Sequence, residues 1–333
     1  MAQSAKIDIA RIDSGRIDIV SLGEPLYELS RSRDGTTWAS GFGGDTSVMA
    51  IAAARAGARA AYVSAVGDDA FGREFLELWT REGVDARGVV VRADAHTGVY
   101  FIPYDAQGHH FSYLRAGSAA SRMQPADLPL DLIASAKALH VSGISLAIST
   151  SACDATFAAM RAARAAGAKV QIDTNLRLRL WPLDRARAVI HAAVALADIC
   201  RPGLDDARQL TDLGDPDAIA DAYLAMGPEI VALTLGSEGA LVATPARRVR
   251  LAPMRCAPVD ATAAGDAFDG AFLAEYLRTN DPFLAGRFAN AAAALSTEGY
   301  GAVGPLPRRA DIERALVERA PAERAPDGHG VSS

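Results

Sequence analysis

The sequence predicts an α/β protein: a mostly parallel sheet covered by helices on both faces, with a small β-sheet inserted as a lid. Three observations carry this. From residue 138 onward, short apolar runs alternate with helical stretches, the pattern of a sheet buried on both faces. Between residues 89 and 115 that alternation gives way to hairpin text around the turn Asp105-Ala106-Gln107-Gly108. Late in the chain, a loop of small residues from Pro258 to Gly270 feeds a helix.

In order, residues 17–22 read as a buried strand closing at Gly23-Glu24-Pro25. Residues 26–42 are polar and turn-rich, without a helical period, and are assigned to the lid. Gly41-Phe42-Gly43-Gly44-Asp45-Thr46 then opens a helix over 47–56, stopped by Gly57. A strand follows at 61–66. The helix at 71–82 keeps Phe71, Phe75, Leu78 and Trp79 on one side. Strands are expected at 89–91, 98–104 and 110–115. The regular alternation then gives strands at 138–141, 169–173, 199–201 and 230–235, and helices at 151–166, 183–196, 205–213 and 216–226. A hairpin, 240–244 with 248–252, leads into the small-residue loop, and two Ala-rich helices follow at 267–278 and 282–296. The core is thus 17–25, 43–95 and 119–310, and the lid is 26–42 with the hairpin 96–118. The segments 1–16 and 320–333 are expected to be flexible.

Composition narrows the function. The chain has 333 residues, 50% hydrophobic and 22% charged, with a net charge of −6. A general nucleic-acid-binding surface does not fit that charge. Cys153, Cys200 and Cys256 are far apart, so neither a disulfide framework nor a CxxC site follows. His109-His110 has no third ligand at zinc spacing. The N-terminus lacks an apolar signal region, and no run approaches the ~20 apolar residues of a membrane span. A cytoplasmic protein is expected.

The chemistry concentrates in Asp260-Ala261-Thr262-Ala263-Ala264-Gly265-Asp266. A small-residue loop entering a helix presents backbone N–H groups at the positive end of the helix dipole, an anion site. A carboxylate there, Asp266, suits a base that takes a proton from a hydroxyl while the amides hold a transferring phosphoryl group. The plain alternative is an ordinary helix start with an acid in its first turn. Other polar or small residues follow the strands, where open α/β sheets bind ligands: Gly23-Glu24, Gly143, Asp173-Thr174-Asn175 and Gly236-Ser237-Glu238-Gly239. Arg115 ends the lid hairpin and Arg177 follows a strand. Together they suggest a clamp for a carboxylate or phosphate, while each alone reads as surface charge. Tyr100 and Tyr113 either stack on a polyol or fill space between lid and core.

Asp260 to Asp266 resembles the D-T-x-G-A-G-D signature of the ribokinase-like (PfkB) carbohydrate kinases, and Gly43-Gly44-Asp45-Thr46 resembles their N-terminal glycine signature. The likeness runs from about residue 17 to 307. Within that family, Thr97-Gly98-Val99-Tyr100, Tyr113-Leu114-Arg115-Ala116-Gly117-Ser118 and Asp173-Thr174-Asn175-Leu176-Arg177 look most like the 2-dehydro-3-deoxygluconokinase branch. The resemblance implies a three-layer α/β/α core and ATP-dependent phosphorylation of a primary hydroxyl on a small sugar acid. It implies Asp266 as base and Ala263, Ala264 and Gly265, with the Asp266 amide, as anion hole. It further implies Gly43, Gly44, Glu28, Tyr100, Tyr113, Arg115 and Arg177 as substrate contacts. Thr234, Gly236, Ser237, Gly239, Gly265 and Asn290 fall at the nucleotide, and Asp206 at the acid of the magnesium element. ATP, Mg²⁺ and a monovalent cation are the implied co-reactants, and a homo-oligomer through the lid is expected.

Three departures stand out. Ala263 replaces the first glycine of the anion-hole signature, Val48 replaces an asparagine, and Gly203-Leu204-Asp205-Asp206 replaces N-x-x-E. Two other readings stay open: a fructokinase- or ribokinase-like enzyme for a neutral sugar, and a catalytically weak sugar-binding or regulatory homologue. A Rossmann dehydrogenase is disfavoured, because no G-x-G-x-x-G opens the first helix.

Overall fold

The computed structural model describes residues 16–31, 34–105, 108–109 and 112–319. The flexible segments expected at the termini fall, apart from Arg16, outside those residues, as does the centre of the turn at 106–107.

The larger sheet has nine strands. Edge to edge they are Arg248–Leu251, Ala240–Ala243, Ile230–Thr234, Ile199–Arg201, Lys169–Asp173, Ala138–Ser142, Ile19–Leu22, Ala60–Gly67 and Asp85–Arg92. From Ile230–Thr234 to Asp85–Arg92 all pairings are parallel, while the first two strands form an antiparallel hairpin on one edge. Register sets Ser142 opposite Asp173 and Asp173 opposite Arg201, which gathers polar side chains at the carboxyl edge.

Helices cover both faces because the central strands are apolar on both sides. One core, with Met49, Phe75, Phe268 and Phe272, lies under Asp45–Arg55, Ala70–Glu82, Ala264–Thr279 and Pro282–Ser296. The other, with Met160, Ile190 and Tyr223, lies under Thr150–Ala165, Leu183–Val194 and Pro216–Met226. These are the outer layers of a three-layer α/β/α stack. Side-chain caps fix several starts: Asp69 accepts from Gly72 N at 2.8 Å, and Asp281 from Phe283 N at 2.8 Å. Ala264–Thr279 crosses Asp45–Arg55 at close range. A Cβ on Gly270 would sit 2.6 Å from both Met49 O and Ala53 N.

The lid is a separate four-stranded sheet, ordered Trp38–Gly43, Leu26–Arg31, Gly98–Ile102 and Ser112–Leu114. It is mixed rather than wholly antiparallel. Leu26–Arg31 runs antiparallel to Trp38–Gly43 and parallel to Gly98–Ile102, because both leave the core sheet in the same direction. Three α-helices lie beyond the expected set, Leu130–Ser135, Gly143–Ala147 and Arg309–Glu318, and the helix expected from 267 begins at Ala264. Among the described residues, no helix is long and apolar enough to cross a membrane.

Candidate active site

The small-residue loop is pinned from within. Asp260 accepts from Thr262 N at 2.9 Å, Thr262 Oγ1 at 2.6 Å and Gly301 N at 3.0 Å. The chain then turns into the helix through Ala263, which caps it at φ 62°. That is left-handed backbone, where a Cβ is strained and glycine is at ease. Ala264 N donates to Ala261 O at 3.2 Å and Ala267 N to Ala263 O at 2.9 Å. The Gly265 and Asp266 amides have no such partner among the described residues and are the open donors of the helix start. The loop therefore has fewer open amides than its run of small residues suggests, since Ala264 closes the turn.

Asp266 lies in the first helical turn. Burial pushes its carboxyl well above the ordinary carboxylate range; Asp45 and Asp269 add to this, and Arg201 and Arg177 oppose it. Beneath it, the carboxylates of Asp173, Asp266 and Asp269 lie within 4.8 Å of one another. Arg201, 6% exposed, meets two of them: Nε donates to both Asp269 oxygens at 3.0 Å, and Nη2 donates to Asp173 and, at 2.5 Å, to Asp269. Gln171 Nε2 adds a bond to Asp269 at 2.7 Å. Beside this set, Asp45 accepts from Thr46 N at 2.8 Å, Asn175 Nδ2 at 2.8 Å and the Ser142 hydroxyl. Arg201, Asp269 and Asp45 were not among the expected site residues. Asp45 sits in the quoted glycine signature and could have been found there. Arg201 reads as the last residue of a buried strand, and nothing local marks it.

The lid presents a polar row to this floor. Glu28 pairs in register with Tyr100, and Tyr100 with Tyr113. The Tyr100 hydroxyl donates to Glu28, and the two tyrosine rings stack at 6.0 Å. Asp266 contributes to the field at Tyr100 and Asp260 to that at Glu28, so the row faces the loop. Gly43 leaves room for it: a Cβ there would lie 2.7 Å from Tyr100 Oη. Gly44, at φ 89°, has no space for a Cβ, which would fall 2.3 Å from Glu24 O. Val48 is buried in the core and offers no polar contact. A cavity of about 870 Å³ opens beside the row, lined by Glu28, Ser40, Gly41, Asp260 and Thr262. Its floor is the pinned loop rather than Asp266 itself.

The two arginines differ. Arg177 is half exposed, donates to Leu176 O at 2.8 Å, and lies close enough to act on Asp266. Arg115 is held by buried Glu24 through Nε at 2.8 Å and through Nη2, and its guanidinium lies 5.6 Å over the Tyr113 ring. Ser118 Oγ adds a 2.5 Å bond to Glu24. Asp206 is 3.9 Å from Arg177 and accepts from Leu176 N at 2.9 Å, so it orients the arginine loop.

On the far side of the small-residue loop, Thr234 Oγ1 donates to Pro202 O at 3.4 Å, and a 3₁₀ turn at Gly236–Glu238 follows. Gly239 packs against Leu251 O, where a Cβ would come within 2.1 Å, and Asn290 Nδ2 donates to Ala252 O at 2.8 Å. Asn290 thereby ties the hairpin exit to the helix behind the loop.

Residues 7–309 match the model of the pfkB family carbohydrate kinases. The chain belongs to that family. Among its relatives, 2-dehydro-3-deoxygluconokinase of Thermoproteus tenax is 36% identical, covering 89% of this chain and 93% of that protein. Probable fructokinase-4 of Arabidopsis thaliana is 32% identical, covering 90% and 96%. A crystal structure of a putative Ribokinase II from E. coli in complex with ATP and Mg²⁺ superposes with a TM-score of 0.84 at 25% identity, covering 90% of this chain and 99% of that one. This pfkB-family chain has the ribokinase-like fold and is a phosphotransferase acting on a sugar hydroxyl.

Proposed function

We propose that this kinase transfers the γ-phosphoryl group of ATP to a primary hydroxyl of a small sugar acid of the 2-dehydro-3-deoxy-D-gluconate type, giving the 6-phosphate and ADP. The observation that carries the reading is the Asp266 carboxylate beside the open Gly265 and Asp266 amides, with the half-exposed Arg177 within its field. The acceptor oxygen forms its bond to the γ-phosphorus as Asp266 takes the hydroxyl proton. The bond from that phosphorus to the β–γ bridging oxygen breaks, and its electron pair leaves with ADP. The two amides face the charge that gathers on the phosphoryl group in flight. Arg177 supplies the cation for a substrate carboxylate, and the Glu28–Tyr100–Tyr113 row meets the polyol. Thr234, Gly236, Ser237, Gly239 and Asn290 shape the nucleotide side.

The acids here do not form a cage for Mg²⁺. Arg201 occupies the Asp173–Asp269 pair, and one Asp206 oxygen is committed to Leu176 N. The metal would arrive on the phosphates of the nucleotide, as Mg²⁺ usually does.

A neutral-sugar kinase is the second reading, favoured by the commitment of Arg115 to Glu24, which leaves one arginine rather than two for an acid. A coupled ADP-release screen against 2-keto-3-deoxygluconate, its galacto epimer, fructose and ribose separates the two. The acid reading expects the highest kcat/KM on a keto-deoxy acid. A neutral sugar preferred by about tenfold or more would replace it. The lid also suits pairing with a second copy, since Trp38 and Leu114 on its edge strands are exposed. A monomer by light scattering at micromolar concentration would remove that part.

A further inference from the structure

Beneath the anion loop lies an ionic cluster of which the transfer step above uses only Asp266, and whose other members are buried. Three carboxylates converge there, Asp173, Asp266 and Asp269, and a fourth, Asp45, contributes to the field at Asp266. Concentrating acids in a dry interior is costly unless a cation answers them. Arg201 is that cation. It comes from a strand end, is almost wholly buried, and binds Asp173 and Asp269 but not Asp266. Its guanidinium lies directly under the loop: a Cβ on Gly265 would fall 3.2 Å from Arg201 Nη2 and 3.3 Å from Nη1.

We propose that Arg201 is a positioning residue for phosphoryl transfer: a fixed internal cation that neutralises the acids around Asp266 and supports the Gly265 turn from below. Its fork ties Asp269, one helical turn beyond Asp266, to Asp173 at the sheet edge. The base is thereby held relative to the strand ends without being bridged itself. A base that must take a proton should not be locked in an ion pair, and Arg201 meets this by acting one carboxylate away. The groups facing Asp266 are Asp45 from the first helix, Asp173 and Arg201 from strand ends, Arg177 from its loop, Tyr100 from the lid and Asp269 from its own helix. His140, from the neighbouring strand, is buried, and that burial pushes its pKa down while Asp269 and Asp45 pull it up.

This inference rests on Asp266 being the base, and the experiment separates the two. The pH profile of kcat/KM is recorded for the wild type and for Arg201→Gln, Arg201→Lys, Asp269→Asn and the double variant Arg201→Gln/Asp269→Asn, with folding checked by circular dichroism. Arg201→Gln should move the acid limb to higher pH, with a loss at neutral pH of about tenfold or more that is partly regained on raising the pH. Asp269→Asn should move the limb to lower pH, and the double variant should return it toward wild type. Arg201→Lys should leave the limb near its wild-type place while kcat falls, because the charge is kept and the fork is lost. If Arg201→Gln folds and loses activity equally at every pH, Arg201 is structural only and the inference fails. If Arg201→Gln does not fold, an unmoved limb in Asp269→Asn overturns it. Should Asp266→Asn turn over at a rate near wild type, the base reading itself fails, whatever the Arg201 variants do.

Discussion

The floor of the site and the lid above it are built by opposite means. On the floor, Asp45, Asp173, Asp266, Asp269 and Arg201 sit at strand ends and helix starts, packed by cores on both faces of the sheet. The lid is a mixed sheet of short strands with one row, Glu28, Tyr100 and Tyr113, turned inward and exposed edges at Trp38 and Leu114. On the proposed reading, the difference separates two tasks. Proton removal and charge neutralisation need groups held to a fraction of an ångström, which rigid elements supply. Choice among sugars needs a surface that can differ between relatives, and a small sheet with little core of its own supplies that. Family relatives named for a keto-deoxy acid and for fructose, at similar identity to this chain, are what such a division would allow.

The largest effect should come from the floor. Asp266→Asn is expected to lower kcat by about a thousandfold, within the range for loss of a general base. Its thermal melting point should not fall, because the variant no longer buries a charge. Turnover within about tenfold of wild type, ~1.4 kcal/mol of barrier, would place the chemistry elsewhere. Next comes the Glu24–Arg115 ion pair between the regions. Arg115→Ala leaves Glu24 buried without its cation and should cost on the order of 3 kcal/mol of stability, read by denaturant unfolding. Arg177→Ala should instead leave stability almost intact and raise the KM of a sugar acid by about 10- to 100-fold, the worth of a charge-assisted contact. Equal stability losses in both variants would erase the contrast drawn here.

The pH profile sharpens it further. On the proposed reading the active form of Asp266 is unprotonated, and burial raises its pKa. More of the enzyme therefore carries the inactivating proton at a given mildly acidic pH. The fall of kcat/KM on the acid side should begin above the ~3.9 of an ordinary aspartate, and a fall only at that value would contradict the burial argument. The smallest effect is at Ala263. Replacing it with glycine removes left-handed strain from a residue with a Cβ and should stabilise the protein by up to about 1 kcal/mol, a rise of a few degrees in Tm. A lower Tm would mean that the loop is not strained there.

The alternation of strands and helices was legible because the strands from Ala138–Ser142 onward are short segments, apolar at successive or alternate positions and bounded by turn residues, and the structure keeps those boundaries to within a residue or two. The helix after the loop at Asp260–Asp266 was legible from the apolar pattern that opens at Ala267-Phe268, although it begins three residues earlier, at Ala264. Less could be read where the partner is distant in sequence. Leu26–Arg31 and Trp38–Gly43 are strands whose outer faces are open, so no apolar alternation betrays them. The Glu24–Arg115 pair joins residues 91 apart and Arg201–Asp269 residues 68 apart. Both decide how the site's charges are arranged, and no window of sequence contains either. Arg309–Glu318 has only two buried side chains, Ile312 and Ala315, too few for its period to show.

The contact at Gly270 has a last consequence. Because no side chain fits between it and the backbone of Met49 and Ala53, the helices Asp45–Arg55 and Ala264–Thr279 pack backbone to backbone as one frame. Lids could be exchanged between related kinases on such a frame without retuning the reacting groups, and the natural seams for such chimaeras are the four short crossings that join lid to core.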